Sequence, residues 1–182
     1  MKLLRTTVVL ASLVVTTSVL VAQERQRASP HETVNATVDG NDITIVYGRP
    51  YTKDPKSGEK RKVWGTLVPY GKVWRMGADE ATLLTTKQPI QIGDAAPLPA
   101  GTYSLYMLPD ENSPKLIVNK QTGQWGTKYD EAQDVVLVAL TKAPLEPAAD
   151  QFTIAIDRKE SGGVLKLMWE NTQFSGPITV KK

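Results

Sequence analysis

There is no cysteine anywhere in this 182-residue chain. Thiol catalysis, cysteine-held zinc and iron–sulfur clusters are thereby excluded, and the fold holds together without disulfides. Histidine is nearly as scarce, with His31 the single one. A transition-metal centre usually draws two or three His or Cys ligands, so no metal site and no cofactor is expected. A Ser-His-Asp arrangement would have to use His31. That residue follows Pro30 at the head of the first extended segment, where a strand-start or surface role is expected instead. No Gly-rich phosphate loop or dinucleotide fingerprint occurs. Carboxylate groups suited to calcium are limited to Asp79-Glu80 and to Asp130-Glu131 with Asp134. Neither has the spaced Asp/Asn loop with a central Gly that calcium loops show.

Long apolar runs are confined to the N-terminus. Lys2 and Arg5 precede an apolar stretch at residues 8–21, broken only by Ser and Thr; small Ala22 and polar Gln23-Glu24-Arg25 follow. That is the three-part pattern of a secretory signal peptide. The run is about 14 residues, short of the roughly 20 that span a bilayer as a helix, so a cleaved signal over residues 1–22 is expected in preference to an uncleaved anchor. Export to the periplasm or the extracellular space follows, with no integral membrane segment after cleavage. No cysteine follows the run, which excludes a lipid-anchored form.

Charge of one sign is also missing. The whole chain has 22 Lys+Arg against 19 Asp+Glu, and two of the cations lie in residues 1–22. What remains is nearly neutral and offers no field for nucleic acid or anionic membrane. Lys53, Lys56, Lys60, Arg61 and Lys62 cluster, but Asp54 and Glu59 interleave with them. A solvated loop is expected there.

What is present is alternation. In 42–47, 102–108, 151–157 and 164–169, apolar residues fall on every second position, the pattern of half-buried strands. Further short strands are expected at 32–38, 73–76, 82–86, 90–92, 115–119, 135–140 and 178–180. The continuous apolar run 135–140 suits a central strand covered on both faces. Asp39-Gly40-Asn41, Gly48-Arg49-Pro50, Pro69-Tyr70-Gly71, Pro99-Ala100-Gly101 and Gly162-Gly163 are turn signals, the first suited to a hairpin. Residues 49–62 and the Pro- and Ala-rich 142–150 are expected to be irregular. Helix is expected at most once or twice and briefly, at 129–134. After a polar leader at 23–30, residues 31–182 make one all-β domain, an antiparallel two-sheet β-sandwich of jelly-roll type.

The densest chemistry lies in 63–82, where Trp64, Tyr70, Trp74, Arg75, Asp79 and Glu80 crowd together. Indole faces stack on sugars or apolar ligands, and Arg grips carboxylate or phosphate through paired hydrogen bonds. The same residues also serve a purely structural role, with aromatics filling the core and Arg75 pairing with Asp79 or Glu80. A second cluster, Tyr47-Gly48-Arg49-Pro50-Tyr51, holds Arg49 at a stiff strand end. In a third, Trp125 lies among polar residues and glycines within 119–129, either exposed or a plug under a loop.

Six strings, SPHETV, YGRPY, WGTLVPYGKVWRMGADEAT, PAGTYSLYMLP, NKQTGQWGTKYDEAQD and FTIAI, run in order along the chain. Together they resemble the DUF2911 family, bacterial exported proteins without an assigned function, over about residues 28–181. The resemblance implies one exported domain and supplies no catalytic residues. Two departures are visible. Asp79 stands where the family pattern has Asn, which removes an amide donor, and the segment 53–62 is expanded.

The expected function is ligand binding by an exported envelope protein. Arg49, Arg75, Asp79 and Glu80 would form the polar part of one pocket, and Tyr51, Tyr70 and Trp74 its apolar wall, around a small anionic molecule or a saccharide. An envelope module that binds another protein through a sheet edge or aromatic patch is the alternative. A glycan hydrolase built on two carboxylates comes third, because adjacent Asp79 and Glu80 would point to opposite faces of a strand. Enzyme activity is not the favoured expectation.

Overall fold

The computed structural model describes Arg27 and residues 29–181; the expected signal peptide lies outside the described residues. Nine strands follow in chain order: β1 (His31–Val38), β2 (Asn41–Gly48), β3 (Thr82–Thr86), β4 (Ile90–Ile92), β5 (Gly101–Leu108), β6 (Lys115–Asn119), β7 (Asp134–Ala139), β8 (Thr141–Arg158) and β9 (Gly163–Val180). They form two antiparallel sheets, β1-β2-β3-β5-β6-β7 and β4-β9-β8. The first keeps chain order throughout, with β4 the one strand that leaves it for the second sheet. No helix among the described residues is long and apolar enough to cross a membrane.

Alternation decides which face of each strand is buried. Ile43, Ile45 and Tyr47 of β2 turn inward, as do Leu165, Leu167 and Trp169 of β9. With Leu84, Leu105, Met107, Leu116 and Val118 from the first sheet and Phe152, Phe174 and Ile178 from the second, they make one continuous core between the sheets. Asp39 (φ 47°) and Gly40 (φ 79°) close the β1–β2 hairpin, with Val38 paired to Asn41. Two successive positive φ values are what a tight two-residue hairpin turn with strand-matched twist requires.

Five sequence expectations change. Residues 142–150 belong to β8, whose pairing with β9 shifts register between Pro144 and Ala149 and again before Thr153. β8 is an edge strand, where the N–H that proline lacks is not needed by a neighbour. Residues 164–169 and 178–180 are parts of the single strand β9. Residues 73–76 are not a strand; only Trp74 pairs, exchanging both backbone hydrogen bonds with Met107 at 2.7 and 2.8 Å. Finally, 135–140 is not a central strand. It is β7 at the edge of the six-stranded sheet, and Val135 and Leu137 are 41% and 51% exposed. The expected helix at 129–134 reduces to a 3-10 turn, Glu131–Gln133, capped by the Asp130 carboxylate.

The outer face of the six-stranded sheet is covered locally by residues 120–133. There Ala81, Tyr106 and Ile117 form a small second core against Leu108 and Tyr129. Polar groups lock the cover down. Asn119 donates to Asp134 Oδ1 (2.7 Å) and Asp130 O (2.8 Å). The Tyr129 hydroxyl donates to Asp134 Oδ2 at 2.5 Å, and Gln124 donates to Tyr106 and Ser104.

Phe152 is fully buried between the sheets, so Phe152→Ala should cost about 3–5 kcal/mol in a denaturant titration, the usual cost of a large aromatic cavity. Burial, and then the neighbouring Asp134 carboxylate that accepts its proton, push Tyr129 well above the ordinary tyrosine value of 10.0. The stability gained by keeping this phenol neutral is complete below that ordinary value and is lost as pH rises through the raised one. Tyr129→Phe, which cannot ionise, should therefore flatten the loss of stability measured by thermal unfolding above pH 10.

Candidate functional site

The connection between β2 and β3, residues 49–81, closes one end of the sandwich. Its sequence is short of apolar periodicity, yet it sends Val63, Trp64, Val68, Trp74 and Met76 into or against the core. Trp64 meets Trp74, Trp169 and Phe174 edge to face, with centroids 5.8, 6.3 and 4.8 Å apart. Trp74 stacks on Trp169 at 5.7 Å and 22°. Edge-to-face and offset-stacked pairs add about 0.5–1.5 kcal/mol each beyond the area they bury. The Trp64 indole N–H is satisfied by Trp169 O at 3.2 Å. The Trp169 indole N–H is buried and has no acceptor among the described residues.

Two glycines fix the course of the loop. A Cβ on Gly48 would fall 2.4 Å from Ala78 O, and one on Gly77 would fall 2.7 Å from Gly48 O. Only two bare backbones can approach so closely. Ala78 N donates to Gly48 O across this contact, and Thr82 Oγ1 ties Met76 O at 2.6 Å. The chain turns here through Met76 (φ 50°) and Asp79 (φ 64°), both left-handed without being glycine. Such conformations persist where surrounding structure over-determines them. Residues 79–81 then pair with 124–126, through Ala81 N to Gln124 O and Gly126 N to Asp79 O. The segments YGRPY, GADEAT and QWGTKY thus meet at one end of the domain.

The first two of these segments border a cavity of about 430 Å³. Trp74 and Trp169 lie on its aromatic side, with Tyr51 and Leu67 nearby; Lys53, Arg61, Lys72 and Arg75 bring positive charge, against Asp79 as the one acid. The cations differ in what occupies them. Arg61 is committed to its own loop, donating to Tyr51 O, Thr52 O, Lys53 O and Asp54. Among the described residues the Arg75 side chain makes one hydrogen bond, from Nε to Gly77 O at 3.3 Å. Its stem lies over Gly126, where a Cβ would come within 2.4 Å of Arg75 Cδ. None of the ion pairs formed among the described residues involves Arg75, Lys53 or Lys72.

Of the seven residues expected to form one pocket, Tyr51, Trp74, Arg75 and Asp79 border this cavity and three do not. Arg49 bridges the two sheets. Its guanidinium pairs with Glu32 at 2.5 Å and donates to Phe152 O and Thr153 Oγ1. Tyr70 lies against Gly65, with the Lys142 ammonium 5.9 Å from its ring centroid. Glu80 turns to Arg27, 2.6 Å away. The structural alternative for Arg75, pairing with Asp79 or Glu80, is not adopted either. Trp125 is 42% exposed, so it is not a buried plug. Lys53, Arg61, Lys72 and Trp169 were not among the expected site residues.

The two adjacent carboxylates do not diverge as a strand would make them. Because Asp79 is left-handed, both converge on His31: Nε2 lies 3.6 Å from Asp79 Oδ2 and 3.3 Å from Glu80 Oε2. All three atoms are withdrawn from solvent with no hydrogen-bond partner among the described residues. Contrary to the sequence expectation, His31 is therefore part of a three-residue group that could hold a metal ion. Asp130 and Asp134 form no such group, being spent on capping and on Tyr129 and Asn119. Burial would raise the Glu80 carboxyl, but its own backbone N–H, Arg27 and His31 together hold it below the ordinary value.

Compared with known protein families, residues 29–178 match DUF2911, described as a protein of unknown function. The chain belongs to the DUF2911 family. No curated protein and no solved structure matches it. The match covers β1 to the end of β9 apart from its last residues, so the aromatic closure and the cavity both lie within the DUF2911 region.

Gly48→Ala should lower stability by at least the 1–3 kcal/mol usual for overpacking, because the added methyl meets a carbonyl oxygen on the facing backbone. Thermal unfolding measures it.

Proposed function

We propose that this domain is an exported binding protein for a small anionic ligand with a flat apolar part, held at the β2–β3 loop. The observation that carries this is the juxtaposition at the cavity of Arg75, Lys53 and Lys72, none in an ion pair, with the partly exposed face of Trp74. A guanidinium offers two parallel N–H groups to a carboxylate or phosphate. The indole supports an apolar ring or sugar face beside it. Asp79, the single acid at the cavity, is turned toward His31 and leaves the cationic side uncontested. An acidic saccharide and an aromatic or cyclic carboxylate share this chemistry. The signal-peptide pattern in residues 1–22 supports action in the periplasm or outside the cell.

The carboxylate hydrolase finds no support in the geometry. Glu80 does not border the cavity, and the Asp79 and Glu80 oxygens face a shared histidine, not the two sides of a substrate bond. Binding of a protein strand is favoured by one observation. β7 is an edge strand with Val135 and Leu137 exposed, the arrangement strand addition uses.

Thermal unfolding against a panel of acidic sugars, aromatic and aliphatic carboxylates, phosphates and neutral sugars tests the proposal. A ligand at a hundredfold excess over its dissociation constant adds about 2.7 kcal/mol to native stability. One anionic class should raise the midpoint, and Lys72→Ala and Arg75→Ala should weaken binding by about tenfold or more, the effect of losing a charged hydrogen bond. Lys72 is exposed and makes no side-chain hydrogen bond among the described residues, so its replacement leaves the fold intact. A response only to neutral sugars, or one unchanged in both variants, would overturn the proposal.

A further inference from the structure

His31, Asp79 and Glu80 stand at the rim of the cavity, and only Asp79 is shared with it. Three observations on this group go beyond charge pairing. First, its donor atoms converge: His31 Nε2, Asp79 Oδ2 and Glu80 Oε2 lie within 4.8 Å of one another. Second, each of these atoms is buried without a hydrogen-bond partner, although the side chains as wholes are 20–38% exposed. Leaving three such atoms unsatisfied is costly, and a bound ion removes the cost at a stroke. Third, two of the three spacings fit, the carboxylate pair being bounded only by the 4.8 Å of the group. Four tetrahedral ligands at about 2.0–2.2 Å from zinc stand about 3.3–3.6 Å apart, and the imidazole-to-carboxylate separations are 3.3 and 3.6 Å.

We propose that these three residues bind one divalent cation of zinc type. One imidazole nitrogen and two carboxylate oxygens suit zinc better than calcium or magnesium, which take oxygen alone. Two carboxylates with a neutral imidazole balance the 2+ charge. Arg27 bonds Glu80 Oε1 at 2.6 Å and makes no hydrogen bond to Oε2, the atom that faces His31. The local fold supplies the geometry. The left-handed turn at Asp79 brings neighbouring carboxylates to one side, and the pairing of His31 with Gly48 sets the imidazole beside the loop that Gly48 anchors at Ala78. Three protein donors leave a fourth position for water or a ligand atom, at an acid shared with the cavity.

Titration calorimetry of the purified, EDTA-treated protein with zinc, calcium and magnesium chlorides is the test. One zinc per chain should bind, at least tenfold more tightly than calcium or magnesium. His31→Gln and Glu80→Gln should each weaken zinc at least tenfold, while Lys72→Ala should not change it, which separates this site from the anion cavity. Melting curves without metal show whether each variant is folded. Should His31→Gln not fold, Asp79→Asn decides in its place, and the intensity of the visible bands of the cobalt-loaded wild type reports whether the ion is held tetrahedrally. Absence of zinc binding, tighter binding of calcium, or zinc binding unchanged in a folded His31→Gln would overturn the proposal and leave the group as a histidine–carboxylate ion pair.

Discussion

The packing of Trp64, Trp74 and Trp169 governs this end of the molecule. Trp169 comes from β9, while Trp64 and Trp74 come from a loop with no regular structure, and their edge-to-face and stacked contacts hold that loop on the sandwich. The loop's own backbone hydrogen bonds, such as Asp54 N to Glu59 O and Val68 N to Val63 O, are local turns that do not themselves tie it to the core. Trp64 supplies a ladder-like substitute through its indole bond to Trp169 O, and Trp74 supplies another through its two backbone bonds to Met107. Because Trp74 is only half covered, the side chain that closes the core is also the wall of the cavity. The cavity and the closure of the core therefore share one ring.

Electrostatics then sorts the polar groups at this end into two neighbouring sets. Arg49 and Arg61 are consumed by carbonyls and carboxylates that hold strand ends and loop together. Arg75, Lys53 and Lys72 are not so consumed and face a cavity with a single acid. On the other side of Asp79 the balance reverses, and two carboxylates converge on a partly exposed imidazole whose Nε2 is withdrawn from solvent. Positive and negative sets are kept apart by the left-handed turn at Asp79, which directs its carboxylate to His31 and away from Arg75.

Strand periodicity made the sandwich legible, because the inward residues of β2, β5, β8 and β9 alternate without interruption where the sheets face each other. Asp39-Gly40 was legible as a hairpin because its backbone requirement is local. The first half of β8 was not, since proline masks strand character that an edge position tolerates. β7 was misjudged because an apolar run carries no information on which neighbour is missing. In the site, Tyr51, Trp74, Arg75 and Asp79 showed in sequence through their density. Arg49 and Glu80 were drawn elsewhere by partners distant in sequence, Glu32 with Thr153 in one case and Arg27 with His31 in the other. Lys53 resembled any solvated loop lysine, and Trp169 any strand core residue. Lys72, two residues before Trp74, had a signal in that proximity. No periodicity reports that Asp79 is left-handed, and the convergence on His31 depends on that single backbone angle.

The aromatic closure and the cavity share Trp74 and Trp169, and the indole N–H resonances of the four tryptophans report on both at once. In a two-dimensional nitrogen–proton spectrum recorded while anionic ligands are added, the Trp74 and Trp169 signals should move together and saturably. The Trp125 signal should stay in place, because that ring stands outside the cavity. Binding that shifts Trp125 alone, or that leaves Trp74 and Trp169 unmoved at saturation, would contradict the account.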